Sequence, residues 1–107
     1  MEIQFEELAE GKTYYLATAG LPILMFVFGE ACGNELFPNT HRIEVTAKNS
    51  NGETKTYRTI LSKMTISNSK IYKLFTSREA AEAWKPTDEA IKTSVAIHRG
   101  LPGYVTL

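Results

Sequence analysis

The thiol and the two imidazoles of this 107-residue chain, Cys32, His41 and His98, are the side chains from which nucleophile, base or metal chemistry would first be built. Cys32 stands in Glu30-Ala31-Cys32-Gly33 with His41 downstream, the one arrangement in which a thiolate could meet an oriented base. A zinc centre needs about four ligands, and Cys32, His41 and Glu35 supply three, without a Cys-x-x-Cys pair or two histidines one helical turn apart. Neither a metal nor another cofactor is therefore expected, and Cys32 is expected to pack as a small apolar residue. Adjacent carboxylates occur as Glu6-Glu7 and Asp88-Glu89; neighbours on a helix point to different sides, so these suit helix starts better than acid–base catalysis. No glycine-rich phosphate loop is present. A non-enzymatic protein is the expectation.

Two binding chemistries remain. The charges total zero but divide unevenly, with −5 over residues 1–47, +6 over 48–78 and −1 beyond. Such blocks either neutralise one another when the segments pair or present a one-sided basic face. The basic face would use Lys55, Arg58, Lys63, Lys70 and Lys73, with Tyr57 and Tyr72 between them, to hold single-stranded nucleic acid by charge and stacking. Strand phase scatters these cations over two faces and no recognition signature accompanies them, so nucleic acid ranks second.

Protein binding ranks first. Five tyrosines, five phenylalanines and one tryptophan exceed what a thin core requires, and Ile23-Leu24-Met25-Phe26-Val27-Phe28 is apolar on both faces of a pleat. A helix covering one face of a sheet would leave the other exposed, and such patches mark interfaces. Tyr14, Tyr15, Phe26, Phe28 and Tyr57 are the candidate contacts, with another protein or a second copy as partner. The competing arrangement is a sheet that closes on itself and buries both sets.

These residues must be placed by an α+β domain spanning 1–107: an antiparallel sheet of about five strands, as a meander or half-open barrel, with one or two C-terminal helices. Phe5 and Leu8 suit a short helical turn before Gly11, and strands are expected over Lys12 to Thr18 and Ile23 to Phe28. Gly29 to Thr40 reads as a long loop, the kind that carries function. Ile43, Val45 and Ala47 alternate with polar residues, and a loop of Ser50 to Gly52 with glycine in the left-handed position sets Val45 opposite Tyr57 and Glu44 opposite Arg58. The second strand should run toward Ile66, and a third, Lys70 to Phe75, should complete a three-strand meander. Thr76-Ser77-Arg78-Glu79 fits a capping box with Thr76 as N-cap, opening a helix to Lys85 that Pro86 ends. A second helix is expected over Asp88 to Ile97, with a strand at Val95-Ala96-Ile97 as the alternative, then a short edge strand over Tyr104 to Leu107.

One cysteine allows no internal disulfide, which favours a reducing, cytoplasmic setting. The longest apolar run, Leu21 to Phe28, contains Pro22 and is too short to span a membrane, and the acidic start Met-Glu-Ile-Gln-Phe-Glu-Glu does not read as a signal peptide.

Two stretches, Phe5-Glu6-Glu7-Leu8-x-x-Gly11-Lys12-x-Tyr14-Tyr15 and Lys73-Leu74-Phe75-Thr76-Ser77-Arg78-Glu79-Ala80-Ala81, resemble segments of small accessory proteins of tailed phages. The resemblance covers about a fifth of the chain and implies a host-directed binder or inhibitor.

Overall fold

The computed structural model describes residues 1–48 and 51–98. Six strands form one antiparallel sheet: β1 (Glu2–Ile3), β2 (Thr13–Thr18), β3 (Leu24–Ala31), β4 (Thr40–Lys48), β5 (Thr54–Ser62) and β6 (Tyr72–Phe75). Their order across the sheet is β1-β6-β2-β3-β4-β5. Two helices follow, α1 (Arg78–Ala83) and α2 (Asp88–His98), and a short 3-10 turn covers Phe5–Glu7. This is the α+β class expected from the sequence, with β1 as the additional strand.

The pleat sorts the side chains. Directly paired residues point to the same face of an antiparallel sheet, and the observed registers put Tyr14, Phe26, Val45 and Tyr57 in one row from β2 to β5. A parallel row joins Ile3, Leu74, Leu16 and Leu24. This inner face is the main core, and Phe26 at its centre is 1% exposed. Phe5, Leu8 and Ile66 close over it, all three contributed by segments outside the strands. The Tyr14 hydroxyl reaches the cover and accepts the Ala9 N–H at 2.9 Å.

On the outer face Ala17 and Phe75 pack with Ala81, Tyr15 and Trp84, so α1 covers β2 and β6 only. The outer faces of β3, β4 and β5 lie beyond it. The α2 helix passes the β2–β3 turn, where Gly20 meets Ile91 and Val95, and is tied to β6 through buried His98. His98 Nδ1 faces the Ser94 carbonyl at 2.8 Å and must donate to it, and Nε2 shares a hydrogen bond with the Tyr72 hydroxyl at 2.9 Å.

The β4–β5 register is the one predicted, Val45 opposite Tyr57 and Glu44 opposite Arg58, and Gly52 has a φ of +79°. β2 to β5 pair in chain order as a meander, and only the expected continuation of β4 and β5 into a third neighbouring strand is corrected. β6 does not pair with β5 but crosses to lie between β1 and β2. Its residues explain the choice: Leu74 enters the inner core while Phe75 enters the outer one, and only a site covered on both faces buries both. The second strand also stops at Ser62, short of Ile66, because residues 63–66 turn and send Ile66 over the core.

The first helix is capped one residue later than predicted. Thr76 N–H is taken by the Met1 carbonyl at 3.0 Å at the end of the β1–β6 pair, which leaves Ser77 to accept the Ala80 N–H at 3.2 Å. α2 runs one residue past Ile97, and the edge strand expected over 104–107 lies outside the described residues.

The opposed charge blocks meet in the fold: Glu2 pairs with Lys73, Glu6 with Lys63 and Glu44 with Arg58, while Glu30 pairs with Arg42 inside the first block. The Glu6–Lys63 pair links the exits of β1 and β5, bringing the two edges of the open sheet together at one end.

Phe26→Ala is expected to destabilise the domain by about 3–5 kcal/mol, and Tyr14→Phe by about 1 kcal/mol through the orphaned Ala9 N–H, both read from urea denaturation. The hydrogen bond from Lys63 holds the exposed Glu6 carboxyl below its ordinary value. Its stabilisation should be complete above the ordinary carboxylate range and vanish as pH falls through the lowered value. The melting-temperature difference between wild type and Glu6→Gln should therefore close in acid and shrink with salt.

Candidate functional site

Of the five aromatic residues expected to form an interface, the structure leaves one large ring in the open. Tyr14, Phe26 and Phe28 are buried and cannot touch a partner, a correction to the expected greasy face. Tyr15 is half-buried with the Arg78 guanidinium 5.4 Å from its ring centre. Tyr57, at the β5 end of the central row, is 46% exposed. The two-sided run 23–28 divides cleanly: its even positions enter the inner core, and on the outer side Ile23 and Met25 are half-buried and Val27 is exposed.

The five cations of the nucleic-acid alternative do not assemble into one patch. Arg58, Lys63 and Lys73 each pair with an acid of the N-terminal half, Lys55 and Arg58 point to opposite faces of β5, and Lys70 sits in the turn before β6. His41 stacks on Phe28 with centroids 4.2 Å apart and turns Nδ1 to the Gly29 carbonyl at 2.9 Å. No group of three His, Cys, Asp or Glu side chains among the described residues is placed to hold a metal ion. A 490 Å³ cleft lies between residues 68–73 and 84–93 and carries Lys70, Lys73, Trp84 and Lys85, without a histidine or cysteine in its wall.

What remains is a surface that the sequence pointed to only as a loop. β3 extends to Ala31 through an irregularity after Phe28, which shortens the connection to Cys32–Asn39. Two large apolar residues stand at its tip, Leu36 at 80% and Phe37 at 53% exposure. Met64 is exposed on the neighbouring turn, which the Lys63 N–H joins to the loop by donating to the Asn39 carbonyl at 3.1 Å.

The loop backbone is held from several sides. Asn34 Oδ1 accepts the N–H groups of Leu36 and Phe37 at 2.9 and 3.0 Å, an Asx turn. The Asn34 N–H donates to the Phe37 carbonyl at 3.3 Å, the Thr40 hydroxyl donates to the same oxygen at 3.0 Å, and the Cys32 N–H closes the base on the Thr40 carbonyl at 2.9 Å. A Cβ at position 33 would run into the Phe37 carbonyl oxygen, so glycine is required there. Asn39, at φ +53°, takes the left-handed conformation that asparagine tolerates. The signal in the sequence was two bulky apolar residues set within a Gly, Asn and Pro stretch that gives no strand or helix to bury them.

No family model, curated protein or solved structure matches the chain, and no helix among the described residues is long and apolar enough to cross a membrane.

Asn34→Ala removes the acceptor for two loop amides. Hydrogen exchange at Leu36 and Phe37 is expected to accelerate by about tenfold, the equivalent of one lost hydrogen bond, while exchange in β3 and β4 stays unchanged.

Proposed function

We propose that this protein is a non-enzymatic binding module that docks another protein through the tip of the 32–39 loop. The observation that carries this reading is the exposure of Leu36 and Phe37 on backbone already fixed by side-chain and main-chain hydrogen bonds. An exposed apolar pair is costly to leave in water, at roughly 25 cal/mol per Å² of apolar area, and a partner that covers it recovers that free energy. A pre-ordered loop loses little conformational freedom on docking, which is the main way a small contact gains affinity. Met64, on the adjoining turn, widens the apolar contact, and polar Asn34, Glu35 and Asn39 surround it in the manner of an interface rim.

Leu36→Ser with Phe37→Ser should leave the melting temperature within about 1 °C, since neither side chain enters the core. A partner retained from cell extract by the immobilised wild type should be lost by this double variant, with the dissociation constant then measured on the purified pair. Retention of every such partner by the double variant would overturn the loop as the docking point.

A further inference from the structure

Among the described residues, β5 presents one unpaired edge of the sheet. It is nine residues long and last in the sheet, pairs among the described residues only with β4, and has both faces exposed from Thr54 to Ile60. At about 3.4 Å per residue it offers roughly 30 Å of strand edge. Proteins ordinarily blunt such an edge with proline, a bulge, a short strand or charge. β5 contains no proline, and its nine pairs with β4 run in unbroken register. Its residues favour extended structure: Thr54, Thr56, Thr59 and Ile60 are β-branched, and Tyr57 is aromatic. Charge is its only protection, and all of it is positive, at Lys55 and Arg58.

That protection is selective. A second copy aligned antiparallel would set one basic strand against another, whereas an acidic strand meets the opposite charge. We infer that the β5 edge accepts an extended acidic segment of a partner protein as a seventh, antiparallel strand, with Lys55 and Arg58 reading two carboxylates three positions apart. The spacing follows from the pleat. Lys55 shares the inner face with Tyr57, and Arg58 shares the outer face with Ile60, so the cations stand on opposite faces and three residues apart. The complementary strand, read from its own N-terminus, has an apolar residue opposite Ile60 and an acid opposite Arg58. An apolar residue opposite Tyr57 and an acid opposite Lys55 follow. Its pattern is apolar-x-acid-apolar-x-acid, and main-chain bonds supply the affinity that such strand addition uses. Arg58 remains available although Glu44 lies 3.9 Å from its Nε, because its side chain is 90% exposed. The inference rests on the protein-binding reading above but uses a surface of its own, joined to the loop where the Lys63 N–H meets Asn39.

The test uses the full chain and a fluorescent peptide of sequence TVTEVTET, with a control in which both glutamates are lysine, a thymidine oligonucleotide, and amide chemical shifts to locate binding. The acidic peptide should bind at up to about 1 mM and shift the amides of β5, and the lysine control should not. Lys55→Glu with Arg58→Glu should weaken the acidic peptide by about tenfold or more and admit the lysine peptide. Leu36→Ser with Phe37→Ser should leave peptide binding unchanged. No binding of the acidic peptide, equal binding of the two peptides, shifts confined to other elements, a β5-mediated dimer by sedimentation, or preferential oligonucleotide binding lost with the same cations would each overturn it. A partner still captured through the loop in those cases would leave the earlier reading standing.

Discussion

Phe26 has neighbours on both sides at the same level of the sheet, Tyr14 on β2 and Val45 on β4, and the molecule is organised around keeping that row dry. A strand pleat allows one face to be buried per residue parity, so the register that places these three side chains together also decides which residues are left outside. A slip of one residue in β3 would exchange Phe26 and Phe28 for Met25 and Val27, removing the two rings that fill the centre. Burial weakens along the row because the core that Phe5 and Ile66 cover takes in Leu61 at the end of β5 but not Tyr57. Tyr57 is where the interior runs out.

The exposed features therefore have a common origin. One helix covers β2 and β6, and irregular segments cover the centre together with Ile43, Val45 and Leu61 of the β4–β5 hairpin, which leaves β5 from Thr54 to Ile60 exposed on both faces. The loop from β3 to β4 emerges at the end of this hairpin where β5 finishes. Its apolar tip and the uncovered edge thus lie beside each other, and both are held by the same ladder from Thr40 opposite Ser62.

The parts of this arrangement that were legible in the sequence are those fixed by neighbours in the chain. The hairpin register could be read because apolar matched apolar and acid matched base in only one alignment, and α2 because its acids and its ending suited a helix. The pairing of β6 was not legible, since adjacency in sequence favoured β5 and the deciding factor was cover for Leu74 and Phe75 on both faces. The fate of Tyr14, Phe26 and Phe28 was hidden for a related reason: Phe5, Leu8 and Ile66 close over them from segments with no periodic pattern. Leu36 and Phe37 were visible as residues, but their fixing at a tip depends on the Asn34 N–H and the Thr40 hydroxyl converging on the Phe37 carbonyl.

Inserting β6 between β1 and β2 has a consequence for the order of events in folding. Glu2 lies opposite Phe75, 73 positions apart in the chain, whereas the β2 to β5 ladders join segments made one after another. Contacts of such wide sequence separation form late and slowly. During synthesis at about 5–20 residues per second, β2 waits several seconds for its second neighbour. β1, made before the other strands of this sheet, is among the last to be locked in place, and the newborn chain spends that interval with a second bare flank, in reach of chaperones or of other nascent chains.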